Sequence, residues 1–172
     1  MIRPLPSEDW PPVPPGLLQA FGKPLNVYGV LAHHPALLES WVPFRQHIVC
    51  KNSLSPRYRE LIILRNAVNT GSEYEWRHHV VRGKQAGLTE TDIECIKDGS
   101  VNPHWTETEV LLLNAVDELN REYKISKANL KELSTLFSNE ELLDILCTVG
   151  MYMTLACIAN SCNIPVEEWL GG

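Results

Sequence analysis

The stretch from Ser55 to Leu88 constrains the fold more than any other part of the chain, because helix-boundary signals stand at both its ends and in its middle. Ser55 followed by Pro56 is typical of a helix start, since the serine hydroxyl can cap the first turn and proline needs no N–H there. Gly71 predicts the end of that helix. The stretch therefore predicts two helices joined at Gly71 as a helical hairpin.

The second helix of this hairpin also has marked ends. Ser72 and Glu75 have the spacing of a capping box, in which each side chain bonds to the other residue's backbone N–H. Gly87 followed by Leu88 is typical of a Schellman end. These signals predict a helix that begins just after Ser72 and ends just before Gly87.

Glu60 in the first helix is the first candidate for chemistry. It shares a helix face with apolar residues at offsets of three, four and seven, namely Ile63, Leu64 and Ala67. A carboxyl group in such surroundings needs a charged partner or a raised pKa. The alternative to a catalytic role is a buried ion pair with Arg57, Arg65 or Arg82.

Glu75 and His79 are four residues apart in the second helix, so they lie on one face, with Arg82 one turn further on. Glu60 stands about eleven residues before the turn and His79 about eight after it, which places them roughly 16 Å and 12 Å along an antiparallel hairpin. We therefore expect Glu60, Glu75 and His79 to form one cluster. The alternatives are a capping role for Glu75 and a hydrogen-bonded core position for His79.

Three sequence elements together resemble the carboxymuconolactone decarboxylase and alkylhydroperoxidase-D-like family. They are R-x-x-E-L-x-x-L at Arg57 to Leu64, Y-E-W-x-x-H at Tyr74 to His79, and N-V-Y-G-V-L-A-H-H-P at Asn26 to Pro35. The resemblance covers roughly residues 25–90. It implies an alkylhydroperoxidase-D-like helical bundle with the hairpin at its centre, and a homo-oligomer, either a trimer or a hexamer.

The peroxidase branch of that family carries a Glu, a Cys-x-x-Cys twelve residues on, and a His four beyond the second Cys. Glu60 and His79 match the outer positions, whereas Ser72 and Glu75 stand where the two cysteines would be. A thiol–disulfide cycle needs a thiolate nucleophile and a resolving thiol, and neither serine nor glutamate can serve. The acid–base residues remain, and we predict no thiol-dependent peroxidase activity.

The preferred hypothesis is a decarboxylase or lyase that uses no cofactor and acts on a small carboxylated lactone, β-keto acid or similar unsaturated acid. Loss of CO2 leaves an enolate, so the site must stabilise an oxyanion and then protonate carbon. His79, either protonated or as a neutral N–H donor, would meet the oxyanion, and a neutral carboxyl of Glu60 or Glu75 would protonate the carbon. Two alternatives stay open: an alkylhydroperoxidase-like antioxidant activity implied by the family, and a non-catalytic helical oligomer that binds a small ligand.

Other residues of these elements are candidates for substrate binding. Arg57 or Arg82 could bind a substrate carboxylate with two hydrogen bonds. Tyr74 and Trp76 could form an aromatic wall, although packing is the simpler role. His33 stands at a helix break, where it could rim the cleft, although capping or packing is the simpler role.

The second helix has one further histidine, and its acidic and histidine side chains could be considered as metal ligands. His78 lies on the neighbouring helix face and is expected to be exposed. A metal site is not predicted, because a single Glu-x-x-x-His supplies only two ligands.

Length, net charge and cysteine count indicate the general class of protein. At 172 residues the chain suits one domain, and a net charge of −6 without a basic block argues against nucleic acid as a partner. The five cysteines, an odd number without a C-x-x-C and mostly within apolar helical pattern, suit reduced, buried thiols in a cytoplasmic protein. They are Cys50, Cys95, Cys147, Cys157 and Cys162.

Residues 1–16 are predicted to form a proline-rich arm and residues 17–172 a single all-α domain. Six of the twelve prolines lie in the arm, which lacks the apolar core of a signal peptide, and Trp10 suggests that the arm lies against the domain or a neighbouring subunit. From residue 17 onwards the pattern is helical, with helices at roughly 25–32 and 36–51. Further helix starts are predicted after Thr89, Thr106, Ser126 and Ser138.

The last predicted helix, from Ser138 to about Asn160, is near the length of a membrane span. Asp144, Thr148 and Thr154 interrupt its apolar surface, and no flanking basic loop accompanies it. We therefore interpret it as a helix buried in the core or between subunits, not in a membrane.

Overall fold

The computed structural model describes residues 2–12 and 23–170, which contain eight α-helices and no β-strand. The all-α prediction is confirmed. The helices are α1 (Asn26–Leu31), α2 (Pro35–Gln46), α3 (Pro56–Thr70), α4 (Glu73–Gln85), α5 (Glu90–Ile96), α6 (Glu107–Glu122), α7 (Lys127–Leu136) and α8 (Asn139–Cys162). A π-helical turn, His47–Lys51, follows α2, and short 3₁₀ turns lie at Ser7–Asp9, Gly99–Val101 and Glu168–Leu170.

Helix α3 lies at the centre of the fold, and four consecutive residues of it, from 61 to 64, are at most 1% exposed. Ile63 packs with α1, α2 and α8, whereas Ile62 packs with α6, α7 and α8. Leu61 and Leu64 pack with α5 and α6. Because these consecutive residues point to different sides of the helix and are all covered, α3 joins the three parts of the core.

The helix boundaries follow the local signals. The Ser55 hydroxyl accepts a hydrogen bond from the Tyr58 N–H, and Gly71 ends α3 with φ 62°, a conformation that favours glycine. The predicted starts of α5, α6 and α8 carry complete capping boxes.

The start of α4 differs from its prediction in one respect. The Ser72 hydroxyl caps the helix by accepting from the Glu75 N–H. However, the Ser72 N–H donates to the Ala67 carbonyl oxygen at 2.9 Å and not to the Glu75 carboxyl. The capping role predicted for the Glu75 side chain is therefore wrong, because the turn out of α3 already satisfies that N–H.

The N-terminal part of the chain follows its prediction in outline. The helices expected at roughly 25–32 and 36–51 are α1, and α2 with the π-helical turn after it. Residues 2–12 of the arm lie against α1, where the Leu5 N–H donates to the Gly29 carbonyl oxygen at 3.1 Å. Trp10 packs on the same part of the core. Residues 13–16 of the predicted arm and the helical pattern at 17–22 lie outside the described residues.

Helix α8 is the one described helix long and apolar enough to cross a membrane, and half of its most apolar window is buried inside the protein. Asp144 accepts hydrogen bonds from the Ser53 N–H at 2.7 Å and the Ser53 hydroxyl at 2.6 Å, and it contacts His47 at 2.6 Å. These contacts and its packing against α3 are typical of the core helix of a helical protein.

Candidate active site

The hairpin of α3 and α4 brings Glu60 and His79 together in its interior. Glu60 Oε2 lies 2.6 Å from His79 Nδ1, and the two residues are 1% and 4% exposed. Glu60 Oε1 also accepts a hydrogen bond from Arg59 Nε at 3.3 Å, whereas the sequence suggested other arginines as its partner. The short contact fixes the tautomer of His79, because Nδ1 carries the proton that it shares with Glu60.

Glu75 completes the cluster on the other side of the same ring. Its Oε2 lies 3.7 Å from His79 Nε2, and its Oε1 has no hydrogen-bond partner in the part of the chain described. His79 thus stands between two buried carboxyl groups. The structure brings Glu60, Glu75 and His79 together, as the hairpin geometry predicts.

Glu75 and His79 are both uncharged over a broad pH range because they are buried. Burial raises the pKa of Glu75 to about 7, and Glu167 adds to this, although His78 and Arg82 oppose it. Burial lowers the pKa of His79 to about 4 against the opposing effect of Glu60. Between these two values Glu75 keeps its proton and His79 is a neutral ring.

The carboxyl of Glu60 is ionised in the same range. Burial tends to raise its pKa, but the contact with His79 and the charges of Arg59 and Arg82 outweigh burial and lower the pKa below its ordinary value. Because this carboxylate accepts the Nδ1–H of His79, the Nε2 lone pair of the ring is directed towards Glu75.

A small cavity of about 30 Å³ adjoins this cluster. Tyr152 from α8 lines it and packs edge-on against the His79 ring, with the ring centres 4.9 Å apart. The volume has room for about one or two water molecules, so lining side chains must move to admit a substrate. The polar lining residues are Tyr28, Arg45, Tyr74, Glu75, His78, His79, Arg82 and Tyr152.

A second histidine–glutamate pair forms the adjoining wall, and it is a pair that the sequence analysis missed. His78 is 3% exposed, so the expectation that it is exposed is wrong. Its Nδ1–H donates to the Tyr74 carbonyl oxygen at 2.7 Å, and its Nε2 lies 2.6 Å from Glu167 Oε2. Glu167 also accepts hydrogen bonds from the Tyr74 hydroxyl at 2.7 Å and the Asn26 N–H at 2.6 Å. Because Glu167 is 93 positions from Tyr74 in the sequence, no local pattern could indicate this contact.

The residues predicted to bind substrate divide into two groups. Arg82 and Tyr74 line the cavity. Arg57 does not, and it instead bonds to Asp92 at 2.9 Å and Glu109 at 2.8 Å.

Trp76 and His33 also lie away from the cavity. Trp76 packs with the part of the core formed by α5 and α6, and Lys97 Nζ lies 5.2 Å from its ring centre. His33 Nε2 contacts the Arg3 carbonyl oxygen of the arm at 2.9 Å. Neither residue is among those that line the cavity.

The cysteines lie outside the cavity. All five belong to the described part of the chain, all are free thiols, and none lines the cavity. The expectation that they are buried is wrong, because two are exposed and three are only partly covered. Among the described residues, no group of three or more His, Cys, Asp or Glu side chains is arranged to hold a metal ion. The polar groups that surround the cavity are acids, bases and hydrogen-bond donors.

Comparison with known families matches the hairpin and the helices around it. The model of the carboxymuconolactone decarboxylase family matches residues 35–118, which include Glu60, Glu75 and His79. Over these residues, just under half of its length, the chain is similar to the carboxymuconolactone decarboxylase family. No curated protein matches the sequence.

Solved structures show the same fold in alkylhydroperoxidase-D-like proteins. A protein of unknown function from Agrobacterium tumefaciens, a candidate antioxidant defence protein, is 25% identical, with 78% of this chain and 94% of that chain covered and a TM-score of 0.71. A peroxidase-related protein from Ralstonia eutropha is 15% identical, with 99% and 95% covered and a TM-score of 0.80. The debrominase Bmp8 in complex with 2,3,4-tribromopyrrole is 16% identical, with 99% and 93% covered and a TM-score of 0.84.

Proposed function

We propose that the protein is an acid–base lyase that decarboxylates a small unsaturated carboxylic acid, β-keto acid or carboxylated lactone without a cofactor. The observation that supports this most is that one cavity is bordered by a protonated Glu75 and by a neutral His79 bonded to an ionised Glu60. Protonation of carbon after decarboxylation requires an acid that keeps its proton, and a neighbouring base with a separated pKa can return a proton to that acid after each turnover.

In the proposed reaction, Glu75 supplies the proton that the substrate carbon receives. The bond between the substrate carboxylate and the adjacent carbon breaks, its electron pair moves to the neighbouring carbonyl and forms an enolate, and CO2 leaves. Glu75 then transfers its proton to the carbon, and a proton from solvent restores the acid. The sum is one substrate carboxylate and one proton converted to CO2 and product.

His79 has a different role from the one expected from the sequence. Its Nδ1–H is bonded to Glu60, and its low pKa leaves Nε2 unprotonated, so the neutral ring has no second N–H for an oxyanion. We assign to it the return of the solvent proton to Glu75, because Nε2 faces Glu75 Oε2 at 3.7 Å. Glu60 fixes the tautomer that makes this possible.

The anionic end of the substrate is assigned to Arg82. This arginine lines the cavity one helical turn beyond His79, and a guanidinium group can hold a carboxylate with two parallel hydrogen bonds. Loss of CO2 moves the negative charge to the enolate, and protonation of the carbon then removes it, which relieves the cost of keeping that charge out of water.

A thiol peroxidase is a less well supported interpretation of the same fold. Ser72 and Glu75 occupy the positions of the redox cysteines, and no cysteine lines the cavity of the described chain.

The ligand of the debrominase, a small unsaturated ring, supports a small unsaturated substrate for this fold in general. The five free thiols support a reducing, cytoplasmic location.

The test is release of CO2 from candidate acids, with carboxymuconolactone, oxaloacetate and acetoacetate as the first substrates and deuterium uptake from D2O as a second readout. Glu60→Gln and His79→Ala should each reduce kcat roughly 100-fold or more, and the double variant should be little worse than either, because the residues act as a unit. Arg121→Ala, at an exposed surface ion pair, is the control and should keep full activity. Turnover that survives loss of His79 would contradict the proposal, and binding of these acids without any turnover would favour the non-catalytic alternative.

A further inference from the structure

Tyr28 places a hydroxyl group beside the proposed acid and base. It belongs to α1, is 4% exposed, and lines the same cavity as Glu75 and His79. Burial raises the pKa of Tyr28 above its ordinary value even though Arg45 opposes this, so the hydroxyl keeps its proton at neutral pH. Tyr28 is therefore a hydrogen-bond donor inside the cavity.

Arg45 polarises this hydroxyl. The guanidinium Nε–H of Arg45, a residue of α2 that is 2% exposed, donates to the Tyr28 oxygen at 3.1 Å. The bond occupies a lone pair of the oxygen and leaves its proton without an acceptor in the described part of the chain. A hydroxyl that accepts a charge-assisted bond is a stronger donor, because successive hydrogen bonds polarise one another.

A second polar group in the cavity also lacks a partner. Glu75 is 5% exposed, and its Oε1 has no hydrogen bond among the described residues. Buried polar atoms are nearly always satisfied by protein, water or ligand. An acid oxygen without a partner, in the same cavity as a hydroxyl whose proton has no acceptor among the described residues, therefore indicates a site for a ligand with polar atoms.

The neighbouring tyrosine provides a contrast. The Tyr74 hydroxyl donates to Glu167 at 2.7 Å and accepts from the Val27 N–H at 3.3 Å. Its proton therefore already has an acceptor in the cavity wall and is not available to a ligand. Tyr28, by comparison, keeps a proton available beside Glu75.

We infer that Tyr28, supported by Arg45, is a catalytic residue that donates a hydrogen bond to the oxygen on which negative charge develops. The inference rests on the proposed function, and it supplies the oxyanion donor that His79 does not provide. As the carbon–carboxylate bond breaks and its electron pair moves to the carbonyl oxygen, Tyr28 stabilises the enolate oxygen without giving up its proton. Glu75 then protonates the carbon.

The kinetic test is Tyr28→Phe, which removes the donor and keeps the ring. Because a single oxyanion donor contributes roughly 100- to 1,000-fold to kcat, we expect a loss of that size with KM changed about threefold or less. Tyr58→Phe, a partly buried tyrosine of a different part of the core, is the matched control and should keep full activity. A Tyr28→Phe variant that retains more than a third of kcat would overturn the inference.

The dependence of kcat on pH distinguishes a residue that only donates a hydrogen bond, as proposed for Tyr28, from an acid that transfers its proton, as proposed for Glu75. Tyr28→Phe should lower kcat by the same factor at every pH and leave in place the falls below about pH 4, from His79, and above about pH 7, from Glu75. The residual activity of Glu75→Gln should instead lack the fall above about pH 7. If Tyr28→Phe does not fold, Arg45→Lys provides the second variant, because it keeps a positive charge and removes the Nε–H donor. It should reduce kcat about tenfold, as loss of one supporting hydrogen bond does. An unchanged kcat would count against Arg45 and Tyr28 together.

A binding measurement distinguishes failure of this inference from failure of the proposed function. Oxalate resembles the enolate that remains when oxaloacetate loses CO2, and calorimetry measures its binding without turnover. If the unmodified protein decarboxylates none of the test acids, the proposed function fails, yet oxalate binding at least tenfold tighter than that of Tyr28→Phe would still support the oxyanion donor. Equal binding by the two proteins, including no binding by either, would overturn it.

Discussion

Of the three buried glutamates near His78 and His79, two are ionised and one is neutral, because each has different neighbours. Burial tends to raise the pKa values of Glu60 and Glu167, but close contacts with His79 and His78 and hydrogen bonds from other donors outweigh it and lower both. Glu75 receives no such bond at Oε1, so burial dominates and raises its pKa to about 7. The same type of side chain thus provides a structural anion, an anion that fixes a tautomer, and a neutral acid within one region.

The first prediction is the pH dependence of turnover. Glu75 must be protonated, so activity should fall as the pH rises through about 7. His79 must be neutral, so activity should also fall as the pH drops through about 4. The measurement is kcat/KM from about pH 3 to 9, and both limbs belong to the coupled cluster as a whole. A profile that rises above neutral pH would contradict the assignment of Glu75 as the acid.

Helix α3 is held to its neighbours by ion pairs as well as by apolar contacts. Arg57, near its N-terminal end, binds Asp92 of α5 and Glu109 of α6, whose side chains are 4% and 5% exposed. The same two carboxylates serve the capping boxes of α5 and α6. One guanidinium group therefore connects the starts of three helices.

The second prediction concerns these ion pairs. Arg57→Ala should reduce the free energy of unfolding by on the order of 2 kcal/mol, because it leaves two buried carboxylates without their cation, although the partly exposed arginine moderates the cost. Urea denaturation measures the change, and kcat of the folded variant should stay unchanged. Arg121→Ala, which breaks an exposed ion pair, should change stability by about 0.5 kcal/mol or less. Loss of substrate affinity in Arg57→Ala would instead support a substrate-binding role.

The N-terminal arm is positioned by a close backbone contact with α1. A Cβ atom at Gly29 would lie 2.8 Å from the Leu5 carbonyl oxygen and 3.0 Å from Pro4 Cβ. The backbone oxygen cannot move aside without moving the arm. The absence of a side chain at Gly29 is therefore what lets the arm lie against the helix that carries Tyr28.

The third prediction is that Gly29→Ala detaches the arm. Limited proteolysis should cut within residues 2–12 at least severalfold faster, because the arm loses its bond from Leu5 to Gly29, while circular dichroism should show the helices intact. Gly150→Ala is the control, since a Cβ there meets nothing within 4 Å. Equal cleavage of both variants would show that the contact at Gly29 does not hold the arm.

The surface of the whole molecule carries apolar side chains that the described part of the chain leaves uncovered. Leu143 and Leu146 lie one turn apart on α8 and are 60% and 39% exposed. Leu37 and Phe44 lie two turns apart on α2 and are 43% and 40% exposed. Symmetric association is the usual way to bury such residues.

The fourth prediction is a homo-oligomer, a trimer or a hexamer. Light scattering at micromolar concentration should give a multiple of the chain mass, and Leu143→Glu should shift the mass towards the monomer because it places a charge in an apolar interface. Val101→Glu, at a position 85% exposed in a 3₁₀ turn, is the control and should leave the mass unchanged. A monomeric mass for the unmodified protein would refute the prediction.

The helices and part of the site could be predicted because their signals are local. Ser55, Gly71 and the capping residues mark helix ends within a few residues of themselves, and the spacing of four places Glu75 and His79 on one face. Glu60 joins them because a short turn forces α3 and α4 to pack antiparallel. The sequence of this hairpin was sufficient to determine which three residues meet.

The charges and hydrogen bonds of those residues depended on contacts between distant segments. The sequence was as compatible with Glu75 as a helix cap as with Glu75 as an acid. The structure excludes the cap because the turn at Gly71 lets the Ser72 N–H donate to the Ala67 carbonyl oxygen. Tyr28 and Arg45 reach the cavity from α1 and α2, Glu167 reaches its wall from the C-terminal tail, and no spacing in the sequence relates them to the hairpin. Burial and hydrogen bonding set the charge of each group, and both arise only when the helices pack around one cavity.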